Sequence, residues 1–470
     1  MEGAQMIQKA CLAVALFLGT SCGQTETPPP NVVLLVLDTV RADHISCYGY
    51  ARKTTPHLDA LATESVRYTE CRATGPWTLP SHASMFTGRF PFQHRADSLV
   101  NDQGVWRELP LKLDHTTLAE SLSGIGYRTG AFVANTAYLR EEFQLNQGFD
   151  EYVVKGEPGV IKNESAFAFV DGGVGPFFLF LNYMDAHRPY NNSRLEEERM
   201  ADLECSGAQP SARLLDRMYQ VVLEQGREAP PALVEELTRC YDLGIANADL
   251  AVAQVIEGLR SRGLFDNTLL IVTSDHGEFL GEHGLVEHSK DIYEEVLHVP
   301  LVCKFPRTPG AASGQGTVND QLISLADLPR LVASSLPPQY GAGMLKTYPL
   351  PGDRDFNMAE ISISRERDMR ASYGARFRRK RLVYYADGHK LIRSTDGRHE
   401  LYDLRIDPQE TLNLYELSKP LALDLTRRME EYVKNHPAQY QAADAPTFGA
   451  EAMRELEKLG YAGDGSTGEK

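Results

Sequence analysis

Apolar and polar positions along this chain alternate between two periods. Asn31–Leu37 (NVVLLVL) is a continuous apolar run rich in β-branched residues, the pattern of a strand buried on both faces. Runs of the same kind recur at residues 130–134, 176–182 (PFFLFLN), 268–273 (TLLIVT) and 299–305 (VPLVCKF). Between them, apolar positions fall at helical spacing. The clearest case is residues 231–262, where Leu233, Leu237, Tyr241, Ala248, Val252, Val255 and Leu259 share one face and Gly263 stops the helix. Buried strands alternating with helices predict an α/β fold, a doubly wound and mainly parallel sheet covered on both sides. From about Ala359 the pattern changes. Residues 381–385, 389–393 and 400–404 read as short strands, with turns at Asp387-Gly388 and Asp396-Gly397. A helix is expected over 412–434. The chain thus divides into a large domain over 31–350, a small four-stranded α+β unit over 351–436 and a tail over 437–470. That tail is expected to hold one short helix near 451–459.

The N-terminus has a composition of its own. Lys9 precedes the apolar run ACLAVALFLG, which ends in Thr20, Ser21 and Cys22. This reads as a secretory signal over residues 1–22, with Cys22 placed where a lipid anchor would be attached. The Pro-rich stretch 23–30 is a linker. The protein is therefore expected to be exported, as a periplasmic or outer-surface lipoprotein or otherwise secreted. Cys22, Cys47, Cys71, Cys205, Cys240 and Cys303 would remain, and export would permit some of them to pair. The count of 48 Lys+Arg against 64 Asp+Glu gives a net charge of −16, which argues against a nucleic-acid partner. No apolar run approaches the roughly 20 residues of a spanning helix.

Ligands of such sheets bind beyond the carboxyl ends of the strands. Polar groups gather there. NVVLLVL runs into Asp38, TLLIVT into Ser274, Asp275 and His276, and PFFLFLNYM into Asp185 and His187. One acid after a strand is commonly a helix cap. Three buried strands that each end in ionisable groups point to a site.

In this order the segments NVVLLVLDTVRADHISCYG, GPWTLPSHASMFTGR, NYMDAHRPY, DNTLLIVTSDHGEFLGEHG, YEEVLHVPL and DGRHELYDLRIDPQETLNL resemble the sulfatase-like branch of the alkaline phosphatase superfamily. The resemblance spans roughly Asn31 to His436. It implies a metal-assisted nucleophile that attacks sulfur or phosphorus and forms a covalent intermediate. One departure matters. Sulfatases of the common type carry Cys-x-Pro-x-Arg at the nucleophile, and the Cys becomes formylglycine. Here the segment is Thr78-Leu79-Pro80-Ser81-His82, so no formylglycine can form. Thr78 stands at the nucleophile position, near the start of a helix whose N-terminus favours an anion. Taken alone, Thr78 reads as a helix cap.

By the same resemblance, Asp38, Thr78, Asp275 and His276 would hold one divalent metal ion. Thr39 and His276 replace an Asp and an Asn of the common set, which favours Mn²⁺ or Zn²⁺ over Mg²⁺ or Ca²⁺. His187 matches a substrate-side His that would steady the anion or protonate the leaving oxygen. His288 and Lys290 stand where relatives place contacts to the non-bridging oxygens, and His82 would reach the same charge. Thr39 would touch substrate or support the metal. Arg41 and Asp43 would orient their loop as an ion pair, and His283 would be structural. Residues 191–230 read as an insertion over the site rim, either a lid or a surface excursion. The basic cluster Arg376 to Arg381 reads as a solvated strand edge or an anion-facing patch. The expected function is hydrolysis of a sulfate- or phosphate-type ester through Thr78, with phosphorus favoured. The substrate would be an anionic ester on a glycan, lipid or small molecule. A phosphoglycerol- or phosphoethanolamine-type transferase and a non-catalytic binding module are the alternatives.

Overall fold

The computed structural model describes residues 29–100, 106–190, 203, 211–307, 316–348, 354–364 and 366–438. The signal segment, Cys22, Cys205 and the helix expected near 451–459 lie outside these residues. So does most of the first half of the 191–230 insertion. Its second half contains a helix over Ser211–Met218 that continues in a wider turn over Tyr219–Glu224.

Eight strands form the large sheet. Asn31–Leu37 lies near its middle, flanked in parallel by Phe177–Tyr183 on one side and Thr268–Thr273 on the other. Every residue of these three strands is buried, which is why their sequences are apolar without alternation. Arg128–Val133 and Glu151–Val154 extend the sheet beyond Phe177–Tyr183, and both are parallel. Leu301–Lys304, Val66–Tyr68 and Thr317–Asn319 extend it on the other side. Leu301–Lys304 runs antiparallel to both neighbours. The chain reaches it from Thr268–Thr273 through loops and short turns rather than a long crossover helix, and such a connection returns the strand reversed. The strand order changes direction at Asn31–Leu37, so Asp38 emerges at the switch point of the sheet.

The helix Pro231–Ser261 packs beside Gly159–Asp171 and presents Leu237, Tyr241 and Val252 to the core. Gly244 lets it approach the loop after Phe177–Tyr183, because a Cβ there would lie 2.5 Å from the Asp185 carbonyl oxygen. No helix among the described residues is long and apolar enough to cross a membrane.

The small unit is an antiparallel sheet of Phe356–Ile361, Arg381–Ala386, His389–Ser394 and Glu400–Asp403. The helix Lys419–Asn435 covers one face, and its Ala422, Leu425 and Met429 share a core with Met358, Tyr384 and Leu391. This helix starts later than residue 412. The Asp407 carboxylate accepts the Thr411 and Leu412 N–H groups and holds that stretch as a turn, and Pro420 suits the first helical turn.

The basic cluster is neither solvated nor anion-facing as a whole. Arg381 is 1% exposed and pairs with Asp291 and Glu400, while Arg379 reaches Asp291 at 2.7 Å. The pairs with Asp291 tie the small unit to the large domain. Cys47, Cys71, Cys240 and Cys303 are free thiols.

Candidate active site

Asp38, the residue after the central strand, is fully buried. Its Oδ2 accepts from Asn135 Nδ2 at 3.1 Å and from Asn182 Nδ2 at 3.4 Å. Oδ1 makes no hydrogen bond among the described residues. Asp275, two residues beyond the neighbouring strand, is arranged alike. Its Oδ1 accepts the Thr39 N–H at 3.2 Å and the His276 N–H at 3.0 Å, while buried Oδ2 has no hydrogen-bond donor among the described residues. His276 donates from Nδ1 to the Gly277 carbonyl oxygen at 2.9 Å, which turns Nε2 toward Asp275 Oδ2 at 3.4 Å and Asp38 Oδ1 at 4.0 Å. Burial, and for Asp38 the neighbouring Asp275, pushes both carboxyls up to about 7.

These residues fit a divalent cation. Asp38, Asp275 and His276 each offer a ligand atom, all within 4.8 Å of one another. Two buried carboxylate oxygens without donors call for positive charge. A His fixed through Nδ1 on a backbone carbonyl is the usual support of a metal-binding imidazole.

Thr78 is buried beside them. It is not a helix cap. Trp77 takes that place in extended conformation, and Thr78 is the first residue of the helix Thr78–Thr87. Its Oγ1 accepts from Asn135 Nδ2 at 3.2 Å, and its hydroxyl lies beside the Asp275 carboxylate, where it favours the charged form. Ser81 Oγ donates to the Asp275 carbonyl oxygen at 2.6 Å, joining helix and strand end.

The structure corrects His82. Its Nδ1 bonds the Thr78 carbonyl oxygen at 2.9 Å and lies 3.6 Å from Asp275 Oδ2, with its ring edge-on to Phe86 and Phe180. Burial pushes it down to about 3. A neutral imidazole packed in the core cannot supply the positive charge expected of it, so His82 braces the helix and Asp275 instead.

Thr39 is also a support. Its φ is +66°, rare for a β-branched residue, and its hydroxyl donates to the Asp38 carbonyl oxygen at 2.6 Å. Tyr241 fixes this turn by donating to the Thr39 carbonyl oxygen (2.6 Å) and accepting the Arg41 N–H (2.9 Å). Arg41 grips Asp43 at 2.9 and 2.7 Å and reaches Glu282 at 2.6 Å.

His288 lies next to His276, with ring centroids 4.6 Å apart, and 5.3 Å from the ring of His187. Its Nδ1 meets Glu278 Oε1 at 3.0 Å. Burial and Glu287 push Glu278 up to about 8, and Tyr190 donates to its Oε2. Glu287 and Ser289 both adopt positive φ, so His288 is held between two strained residues. His187 bonds the Arg188 carbonyl oxygen through Nδ1 at 2.8 Å, which leaves the lone pair on Nε2. Burial and the Arg188 charge push it down to about 3. Lys290 is buried with its Nζ 3.1 Å from Tyr219 Oη, 3.4 Å from Asp368 and 3.7 Å from Glu287. Carboxylates surround its charge, so it is held for support rather than presented bare to substrate.

Sequence reasoning missed Asn135, Asn182 and Glu278. The two asparagines were within sight, since each ends or follows an apolar strand run, FVAN and FLFLN.

The sulfatase family model matches residues 30–335. N-acetylglucosamine-6-O-sulfatase of Bacteroides thetaiotaomicron is 21% identical over 88% of this chain and 88% of its own length. The multifunctional alkaline phosphatase superfamily protein PehA of Trinickia caryophylli is 28% identical over 58% of this chain and 68% of its own. The fold matches phosphonate monoester hydrolase of Agrobacterium radiobacter with a TM-score of 0.64 at 20% identity, covering 87% of this chain and 96% of that one. The chain belongs to the sulfatase family of the alkaline phosphatase superfamily and is a sulfatase-like ester hydrolase.

Proposed function

We propose that this hydrolase works outside the cytoplasm on anionic esters, with Thr78 as nucleophile and phosphorus as the attacked atom. The observation that carries this reading is the position of Thr78 Oγ1, at a helix N-terminus between Asn135 and Asp275. Export rests on the Lys9–Cys22 signal pattern.

Asp38, Asp275 and His276, with Thr78 beside them, would hold a divalent ion. That ion would supply positive charge to the Thr78 oxygen and to the ester oxygens. The Thr78 hydroxyl gives its proton to solvent as Oγ1 attacks phosphorus and the bond to the leaving oxygen breaks, because both Asp275 oxygens are engaged. Asn135 keeps a lone pair of Oγ1 aimed by donating to it. The Glu278–His288 pair holds one proton below about pH 8. Whichever partner carries it, His288 Nε2 then bears hydrogen and can give it to the leaving oxygen. Water completes hydrolysis of the Thr78 ester.

Phosphorus is preferred because a Thr ester lacks the second hydroxyl through which a formylglycine hydrate expels sulfate. The likeness in fold to a phosphonate monoester hydrolase agrees with this. An ester on a glycan agrees with the likeness to an N-acetylglucosamine-6-O-sulfatase. The test is an assay of the purified chain on aryl sulfate, phosphate diester and phosphonate monoester, with the bound metal identified and Thr78→Ala as control. Turnover of the phosphorus esters that is lost in Thr78→Ala supports the reading, and dominant sulfate release contradicts the choice of phosphorus.

A further inference from the structure

We propose that a second divalent cation binds where the small unit meets the large domain, held by His283, Glu295 and Glu410. The three residues offer one ligand atom each, all within 4.8 Å of one another. They line a cavity of about 670 Å³. Glu295 supplies the independent sign of a ligand. Its side chain is 8% exposed, Oε1 lies 3.4 Å from His283 Nε2, and buried Oε2 has no hydrogen-bond donor among the described residues. An orphaned carboxylate oxygen at this depth is costly unless a cation meets it.

The ligands are already aimed. The His283 ring stacks on Tyr293 with centroids 3.8 Å apart and planes 11° from parallel, and its backbone is fixed at φ +54°. Glu410 Oε2 accepts the Glu294 N–H at 2.6 Å, and Oε1 meets Lys390 Nζ at 2.8 Å. Around the cavity, Asp43, Glu282, Glu294, Glu295 and Glu410 face the permanent charges of Arg41, Arg72 and Lys390. Carboxylates outnumber permanent cations around the cavity, a balance that favours a cation there. One imidazole with two carboxylates suits the Mn²⁺ and Zn²⁺ class. The cavity has room for the waters that would complete the coordination.

The position gives the ion a task. His283 and Glu295 belong to the large domain, and Glu410 follows the last strand of the small sheet. The Gly277 and Glu278 N–H groups bond the Val296 and Glu295 carbonyl oxygens at 3.0 and 3.1 Å. A Cβ at Gly277 would lie 2.0 Å from the Glu295 carbonyl oxygen, so that pairing is tight. The ion would clamp the small unit onto the segment that carries His276 and Glu278.

Equilibrium dialysis of the full chain against Mn²⁺ counts the ions, beside Asp275→Asn, Glu295→Gln and the double variant. The proposal expects Asp275→Asn to retain one ion per chain and the double variant to bind none. In the Asp275→Asn background Mn²⁺ should raise Tm, and either Glu295→Gln or His283→Gln should abolish the rise. Retention of one ion in Asp275→Asn that the added Glu295→Gln removes supports the junction site whatever the catalytic set binds. Loss of all binding in Asp275→Asn, or a count and a Tm rise that Glu295→Gln and His283→Gln leave unchanged, would overturn it. In that case Glu295 simply pairs with protonated His283. Should one junction variant fail to fold, the other carries the comparison.

Discussion

The side-chain amide of Asn135 donates to the Thr78 hydroxyl oxygen across 3.2 Å, and the same nitrogen reaches Asp38 Oδ2 at 3.1 Å. One amide thus spaces the proposed nucleophile from a proposed metal ligand, while its own oxygen is pinned by the Ala137 and Tyr138 N–H groups. Asn135→Ala is expected to lower kcat by roughly 10²–10³, the usual loss for one preorganised donor. Metal affinity should fall by about 10–100-fold, as when a supporting partner of a ligand is removed. Steady-state kinetics at saturating metal separates the two effects.

Glu278 is expected to act through His288. Glu278→Gln keeps the shape but removes the carboxyl proton shared across the 3.0 Å contact. The loss should be about 10² for esters of alkyl alcohols and small for nitrophenyl esters, whose leaving group needs no proton. A leaving-group series measures it. An equal loss for all leaving groups would indicate a merely structural role.

Asp97 gives a pH test of stability away from the metal set. It is buried and accepts Trp77 Nε1–H at 3.2 Å and Ser98 N–H at 2.8 Å. Burial and the Glu360 charge push it up to about 7. From its ordinary value up to about 7 the folded state keeps a proton that the unfolded state has lost. The contribution of Asp97 to stability is therefore greatest at acid pH and falls as pH rises through that window, by at most about 1.4 kcal/mol per unit. Asp97→Asn should remove this part of the slope and stabilise the protein at pH 8 by up to about 4 kcal/mol, with little change near pH 4. Urea unfolding across pH checks both.

Metal preference should follow the donor set. Thr39→Asp with His276→Asn adds a carboxylate and exchanges nitrogen for oxygen, so the doubly changed chain should prefer Ca²⁺ where the parent prefers Mn²⁺ or Zn²⁺. Asp also tolerates the positive φ of position 39 better than Thr does. Titration calorimetry with each ion decides it.

Much of the fold was legible because buried parallel strands announce themselves. Thr268–Thr273 matches its apolar run residue for residue, and the residues after it carry the site. The reversed direction of Leu301–Lys304 was hidden, since a short buried run has no sense of direction. At the site, Asp38, Asp275 and His276 follow strand ends and were visible. His82, Lys290 and the Arg376–Arg381 cluster were misread for one reason: a charged or titratable side chain shows its type in sequence, but not whether burial neutralises it or carboxylates already surround it. Asn135 was missed because an uncharged amide gains its meaning only from its two partners.

The central claim is that Thr78 becomes covalently modified. Acid-quenching the enzyme during turnover of a phosphonate monoester, followed by peptide mass spectrometry of the Thr78–Thr87 segment, tests it most directly. The account predicts a phosphonyl adduct on Thr78 that is absent from Thr78→Ala. An adduct on another residue, or undiminished turnover by Thr78→Ala, would contradict it.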